Sequence, residues 1–288
     1  MSLNQDTIKQ TVEIPLSSAL YPKEWKSLKN PPPVLYARGN IQLLEERKFT
    51  IVGSRRTPAP ALQAGKEIAK ELSRVFVILT GTADGGDSAA IEGALLGMGK
   101  VICLLAGGFS VLPQGNLSLL KEVEKRGLLL SVHPFETPVR EFSYEYRNEL
   151  LAALGEGTLV LGAAQKSGAL ITARYAWKDK KPVFAIPYFP GSAAGVGCNR
   201  ILKEGVVLTE TAGDIAKVFQ VELKPQTKTP LTADEEKMLT ALQTLGEAHA
   251  EELAKASGIP LFKTRAVLSA LEVKGACVSL GGNRYSVI

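Results

Sequence analysis

Two short segments of this 288-residue chain combine glycine with cationic side chains. They are Gly53-Ser54-Arg55-Arg56 and Lys166-Ser167-Gly168, and each precedes a helical pattern. Backbone N–H groups beside glycines at the start of helices can hold an anion, and a neighbouring cation adds attraction. The chemistry that these residue types favour is the binding of phosphate groups.

Two further glycine turns, at Gly81 to Gly86 and at Gly107-Gly108, also follow apolar runs. Neither is a dinucleotide fingerprint, because no G-x-G-x-x-G follows the first strand, and the chain has no Walker sequence. Asp87, on the second turn, is of a type that accepts N–H bonds, and we predict that it caps a helix.

Groups that could catalyse a reaction are scarce. The two histidines, His133 and His249, belong to different predicted domains. The chain has no H-E-x-x-H sequence, no metal-spaced Cys/His set and no G-x-S-x-G elbow. We therefore predict no catalytic residue, no metal and no cofactor.

Composition places the chain among ordinary globular proteins, with 45 % hydrophobic and 22 % charged residues. A net charge of +5 mildly favours anionic partners. The three cysteines are far apart and form no C-x-x-C, which favours a reducing cytoplasm. No apolar run reaches the roughly 18 residues of a membrane span, and we expect no membrane association.

The glycine turns sit at the ends of short apolar runs that alternate with helical patterns. The runs are FTIVG, VFVILTG, VICLLAGG, LLLSV, TLVLG, PVFAIP and VVLTE. Strands that are apolar on both faces and separated by helices predict an α/β fold, namely a Rossmann-like, doubly wound and mostly parallel sheet. In such a sheet ligands bind beyond the carboxyl ends of the strands, so the glycine turns should share one edge.

The pattern divides into four parts. They are an N-terminal arm at 1–48, the Rossmann-like core at 49–220, a linker at 221–233 and a winged-helix domain at 234–288. The arm contains Pro31 to Pro33, which exclude a helix there. The last domain reads as three helices and a two-strand ribbon with a tight turn at Gly281-Gly282-Asn283.

Charge differs between the two ends of the chain. From Asp234 onward there are seven acidic and six basic residues, so this domain nets −1 and residues 1–233 carry +6. A winged helix that reads DNA is usually basic along its recognition helix. We therefore favour protein contact over DNA contact for the C-terminal domain.

Several segments together resemble the DprA/Smf family of DNA-processing proteins. They are YPKEWKSLKNPPPVLYARGN, VGSRR, GTADGGDSAAIEGAL, LPQGNLSLL, YRNELLAAL, KSGALITARYA and GCNRILKEGVVL, in this order. The segment KSGALITARYA, which resembles the family's Ser-Gly-x-Leu-Ile-Thr-Ala motif, is the most specific element. Asp84 and Glu149 stand where this family usually carries basic residues.

The resemblance implies a Rossmann-like core that binds single-stranded DNA, and a homodimer that helps to load a RecA-type recombinase in natural transformation. It implies phosphate contacts for Arg55 and for Arg147 or its neighbours. Together with the glycine turns, the predicted phosphate-binding residues are Gly53, Ser54, Arg55, Arg56, Gly81, Gly107, Arg147, Asn148, Lys166, Ser167 and Gly168.

Two alternatives use the same pocket. One is a sensor of a small nucleotide, and the other is an enzyme similar to the LOG-type nucleotide phosphoribohydrolases. The enzyme family's Pro-Gly-Gly-x-Gly-Thr-x-x-Glu motif is absent, since SGALITARYAW stands in its place without the glutamate.

Overall fold

The structure is a computed structural model that describes residues 11–223 and 231–287. Contacts divide the chain after Leu223 into two compact units, and each is described by itself. The first ten residues of the predicted arm and residues 224–230 of the predicted linker lie outside the described residues.

The first unit is built around a nine-stranded sheet in the order β1-β2-β6-β5-β4-β3-β7-β8-β9. The strands are β1 (Val12–Pro15), β2 (Val34–Gly39), β3 (Lys48–Val52), β4 (Val77–Thr80), β5 (Val101–Leu104), β6 (Leu128–Ser131), β7 (Thr158–Val160), β8 (Val183–Ala185) and β9 (Val207–Leu208). Strands β3 to β9 pair in parallel, and β2 pairs antiparallel with both β1 and β6. All seven apolar runs form strands, which confirms the predicted mostly parallel sheet.

Helices cover both faces of this sheet. They are α1 (Lys23–Lys26), α2 (Ala59–Leu72), α3 (Gly86–Leu96), α4 (Leu117–Arg126), α5 (Glu141–Leu154), α6 (Gly168–Lys178), α7 (Val196–Lys203) and α8 (Ala212–Phe219). Successive strand residues alternate between two cores: Val77 and Leu79 of β4 join one, and Ile78 joins the other. Burial on both faces explains why these strands read as continuous apolar runs.

The N-terminal segment contributes β1 and β2 to the same sheet. Trp25 is fully buried, and its indole N–H donates to the carbonyl oxygen of Leu150 on α5 at 2.9 Å. The Tyr21 hydroxyl donates to the carbonyl of Pro32 at 2.6 Å. The proline-containing sequence did not indicate these two strands, and only their pairing in the sheet identifies them.

The strand order places a topological switch point between β3 and β7. From β3 the chain first proceeds outward through β4, β5 and β6, and it then returns to build β7, β8 and β9 on the other side. The loops that leave β3 and β7 therefore diverge and open a crevice. Gly53-Ser54-Arg55 follows β3, and the segment that contains Lys166 follows β7.

The second unit packs three helices against a small sheet of order β10-β12-β11. Its elements are α9 (Ala233–Leu245), β10 (Glu247–His249), α10 (Ala250–Ser257), α11 (Leu261–Val273), β11 (Cys277–Gly281) and β12 (Arg284–Val287). The expected ribbon is β11 and β12, but β10 adds a third strand that the sequence pattern did not indicate. His249 is the N-cap of α10, where its Nδ1 accepts the Glu251 N–H at 3.4 Å.

An ion pair joins the first turn of α9 to the end of α11. Glu235 on α9 is 5 % exposed, and its carboxylate accepts the Lys274 ammonium at 2.6 Å and the Thr232 N–H at 2.6 Å. The Lys274 hydrogen bond and the Thr232 N–H lower the pKa of Glu235. A lowered pKa in the folded state means that the pair stabilises at neutral pH and loses this effect as the pH falls.

We expect Lys274→Met to speed hydrogen exchange of the α9 amides at pH 7, because it leaves Glu235 without its ammonium partner. The difference from the unmodified protein should shrink as the pH falls below the usual glutamate range, because a carboxylate whose pKa is lowered becomes neutral only there. Exchange measured by mass spectrometry on the full chain tests this. Lys237→Met removes an exposed lysine from the same helix as the control, and an equal effect of both variants would contradict the assignment.

Candidate nucleic-acid interface

The first two glycine turns pack backbone against backbone. The Gly86 N–H donates to the Ser54 carbonyl at 3.3 Å, and a Cβ on Gly53 would lie 2.8 Å from the Gly86 Cα. Gly85 has φ +82°, a conformation that side chains other than glycine rarely adopt. The glycines of the two turns are therefore required by this close contact.

The Gly53 turn is also bonded to the loop after β7. Ser54 donates its N–H to the Gly162 carbonyl at 2.8 Å, and its Oγ accepts the Arg56 N–H at 3.1 Å. Helix α2 begins only at Ala59, after an N-cap proline, so the N-terminus that meets this turn is that of α3. Arg55 and Arg56 are left exposed at the switch point.

Asp87 and Arg147 both approach the position that a Cβ on Gly81 would occupy. A Cβ on Gly81 would overlap the Asp87 carboxylate and lie 2.6 Å from Arg147 Nη1, so glycine is what lets these two groups approach. The N-cap of α3 is Gly85, so the prediction that Asp87 caps this helix is wrong. Its carboxylate instead accepts the Ala83 N–H at 3.2 Å from inside the first turn of the helix.

The two charged groups are almost completely buried, with Asp87 at 2 % and Arg147 at 8 % exposure, and they lie near each other without a salt bridge within 4 Å. Burial raises the pKa of Asp87, whereas Arg147 and the N–H groups of Ala83 and Gly53 act in the opposite direction. Among the described residues, Nε and Nη1 of Arg147 have no hydrogen-bond partner. Arg147 therefore lies beneath the surface that the glycine turns form, where solvent hardly reaches it.

The N-terminus of α6 is the most open part of the edge. Ser167 is its N-cap, and the Oγ accepts the Ala169 N–H at 3.4 Å. Gly168 and Lys166 are exposed, and the nearest atom to a Cβ on Gly168 would be Asn148 Nδ2 at 3.5 Å, an ordinary contact. Packing therefore does not require glycine at 168, in contrast to Gly53 and Gly86.

Asn148 connects this helix to the buried pair. Its Nδ2 donates to the Gly168 carbonyl at 3.2 Å, and its Oδ1 accepts from Arg147 Nη2 at 3.0 Å. Hydrogen bonds thus run from Arg147 through Asn148 to Gly168, and Asp87 lies near Arg147 beside Gly81. The structure brings the predicted residues of the first, second and α6 turns together at one edge.

Gly107 is placed differently from the other predicted residues. It is buried, and a Cβ there would lie 2.9 Å from the Thr137 carbonyl and 2.9 Å from the Val139 side chain. The neighbouring Gly108 donates its N–H to the same Thr137 carbonyl at 2.9 Å. The loop of residues 134–139 covers this turn, so the structure gives its glycines a packing role.

The two acidic residues that depart from the family pattern occupy different surroundings. Asp84 is exposed on the second glycine loop, where its carboxylate lies beside Gly115. Glu149 is half-buried on α5. Burial raises the pKa of both Tyr146 and Tyr175, and the negative charge of Glu149 raises it further. Only Asp84 stands beside the glycine turns.

One positioning residue was missed by the sequence reasoning. Asn116 is 7 % exposed, and its Nδ2 donates to the Thr82 carbonyl at 3.1 Å while its Oδ1 accepts from the Ser88 hydroxyl at 3.0 Å. It fastens the second glycine loop to the segment after β5. The segment LPQGNLSLL contains it, but an asparagine in a loop gives no signal of such a bond.

Within residues 11–223 and 231–287, no group of three or more His, Cys, Asp or Glu side chains is arranged to hold a metal ion. Over the same residues, no helix combines the length and the apolar character needed to cross a membrane.

The order of the glycine turns and of the linking residues matches a known family. The family model for DNA recombination-mediator protein A matches residues 13–220, and the model for the DprA winged helix domain matches residues 222–283. The chain belongs to the DprA family. The winged-helix assignment of the second unit is thereby confirmed, and the LOG-like and sensor alternatives are not favoured.

Known DprA proteins are similar over most of the chain. The DNA processing protein DprA of Bacillus subtilis is 36 % identical over 205 residues, which cover 70 % of this chain and 69 % of that protein. DprA of Streptococcus pneumoniae is 32 % identical over 202 residues, 69 % of this chain and 71 % of that protein.

Two solved DprA structures share the fold. The structure from Streptococcus pneumoniae has a TM-score of 0.69 and 27 % identity, and covers 76 % of this chain and 79 % of its own. That of DNA processing protein A from Helicobacter pylori has a TM-score of 0.67 and 29 % identity, and covers 73 % and 96 %. The Helicobacter structure is described for its single-stranded DNA binding mode.

Proposed function

We propose that this protein binds single-stranded DNA at the carboxyl edge of its sheet as part of DNA processing. The observation that carries the proposal is the open α6 N-terminus at the switch point, where Gly168 is unobstructed and Lys166, Arg55 and Arg56 are exposed. The DNA binding reported for the Helicobacter relative supports it. Binding of this type is largely electrostatic and tolerant of sequence.

Within this proposal the predicted residues have different tasks. Arg55, Arg56 and Lys166 supply charge to phosphates, and Ser167 and Gly168 present the N–H groups of α6. Gly53, Ser54, Gly81 and Asn148 hold the turns in place through the contacts described above. Arg147 is a positioning residue, since it is buried against Asp87.

The family resemblance extends the proposal to partners. We infer a homodimer that acts in the cytoplasm and delivers the bound strand to a RecA-type recombinase during natural transformation. Binding without a chemical step is proposed, since the edge combines cations and backbone N–H groups without a nucleophile–base pair. All three cysteines are buried and free, in keeping with a reducing compartment.

Fluorescence anisotropy with labelled oligo-dT, a duplex of equal length and a salt series tests the function. We expect tighter binding to the single strand, with an affinity that falls steadily as salt rises from about 50 mM. Equal affinity for duplex and single strand, or no binding at the lowest salt, would contradict the proposal.

Gly168→Ala is expected to weaken DNA binding without reducing the stability of the fold. Because the position is open in the structure, the melting temperature is expected to stay unchanged or to rise slightly. A Cβ there would nevertheless stand where a phosphate meets the helix N-terminus, and we expect several-fold weaker binding to oligo-dT. Gly213→Ala, in the first turn of α8, is the control, since its nearest neighbour is the Thr211 hydroxyl at 3.4 Å. Unchanged affinity in the Gly168 variant would place the strand elsewhere.

A further inference from the structure

The loop after β8 presents an aromatic side chain on a fixed backbone. Asn199 on α7 holds both polar groups of the Tyr188 backbone, since its Oδ1 accepts the N–H at 2.9 Å and its Nδ2 donates to the carbonyl at 2.9 Å. The Tyr188 hydroxyl donates to the Leu161 carbonyl at 2.6 Å. The next residue, Phe189, is 88 % exposed. The exposed ring of Phe189 thus follows a residue whose backbone is fixed by two hydrogen bonds.

Tyr188 and Pro190, the residues on either side of Phe189, line a groove of about 580 Å³. Its lining includes Gln165, Tyr188, Val196, Asn199, Arg200 and Lys203. Arg200 Nε is 3.8 Å from a Glu204 carboxylate oxygen, and Lys203 is exposed. The groove therefore combines an apolar floor with two cationic side chains at its border.

The groove continues the edge already described. Gln165 in its wall precedes Lys166 of the α6 N-terminus. The Tyr188 hydroxyl also lies 2.7 Å from the position of a Cβ on Gly162, whose carbonyl accepts the Ser54 N–H at 2.8 Å. One side chain therefore connects the groove to the Gly53 turn.

We propose that this groove takes the nucleotides that continue the single strand beyond the glycine turns, with a base stacked on Phe189 and phosphates beside Arg200 and Lys203. The inference rests on the proposed function and extends its site from β3 and β7 to β8. An exposed aromatic beside a cationic groove is the arrangement that holds unpaired bases without reading their sequence.

The test compares Phe189→Ala and Phe189→Tyr on labelled oligo-dT of about 6 and about 12 nucleotides, within the site sizes of single-strand binding folds. We expect Phe189→Ala to bind the longer strand about tenfold more weakly and the shorter strand almost unchanged, and Phe189→Tyr to keep the affinity. Met98→Ala is the control. Met98 is 62 % exposed and directly precedes β5, so it lies at the amino ends of the parallel strands, opposite the carboxyl edge. Photo-cross-linking of oligonucleotides that contain 5-iodouracil should label residues 188–190.

Three outcomes would overturn the inference. If the unmodified protein binds neither strand, the proposed function fails and the extended site fails with it. If Phe189→Ala binds like the unmodified protein while Arg55→Ala binds more weakly, only the extended site fails. If the loss in Phe189→Ala accompanies a change of mass in sedimentation equilibrium, a second copy of the chain occupies the groove.

Discussion

Asp87→Ala is expected to lower the free energy of unfolding of the first unit by about 1–3 kcal/mol, because it leaves buried N–H groups without their acceptor. The buried carboxylate accepts the Ala83 N–H at 3.2 Å, and it shares the space beside Gly81 with the Arg147 guanidinium. Its loss would leave a guanidinium that is 8 % exposed without a carboxylate, and two of its nitrogens already have no partner among the described residues. Urea unfolding followed by tryptophan fluorescence measures this unit, because Trp25 and Trp177 both belong to it.

Asp84→Ala is the matched control for this change. It removes an aspartate from the same glycine loop, but Asp84 is exposed, so the effect should stay within about 0.5 kcal/mol. The double variant Asp87→Ala with Arg147→Leu should be less destabilised than the sum of the single variants, because no unpaired charge is left. Similar stabilities for Asp87→Ala and Asp84→Ala would show that the buried pair does not hold the turns together.

Arg55→Ala is expected to weaken binding to oligo-dT by about 1–3 kcal/mol at low salt. Arg55 is exposed on the turn after β3, at the switch point. Loss of one phosphate contact should also reduce the slope of log affinity against log salt by about one. Anisotropy titrations over a salt series measure both quantities on the same protein samples.

Lys121→Ala removes the same charge from an exposed position within α4. We expect its affinity to stay close to that of the unmodified protein, whereas Arg55→Lys should retain part of the binding. If Arg55→Ala and Lys121→Ala lose affinity equally, the attraction comes from the general positive charge of residues 1–233 and not from this turn. The binding edge would then have to be sought elsewhere on the first unit.

Sequence periodicity was sufficient for the parallel core. All seven runs from FTIVG to VVLTE became strands, because a strand buried on both faces is apolar at most of its positions. It was insufficient for β1, β2 and β10, whose residues are more polar or lie next to proline and are recognisable only by their partners. The alternation that marks a half-exposed strand needs more residues than the three of β10 supply.

For the candidate site as well, some features could be predicted from the local sequence and others depended on the tertiary structure. Local sequence was enough to predict that Gly53, Gly81 and Gly168 stand at strand ends or helix starts, since glycine and the element pattern are both local features. The tertiary structure decided which glycine serves packing and which serves access: Gly53 and Gly86 touch backbone to backbone, Gly107 is covered by residues 134–139, and Gly168 is open. These distinctions depend on atoms from segments that are distant in the sequence, and a local sequence pattern contains no information about them.

By itself the sequence determined the family, the doubly wound core and the edge at which ligands meet it, because these follow from the order and chemistry of local segments. Only the tertiary structure decided that Arg147 is buried against Asp87, that Asn148 reaches Gly168, and that Phe189 stands exposed beside a groove. The physical reason is that charge and aromaticity belong to a residue type, whereas burial and partners are properties of the surroundings that the rest of the chain supplies.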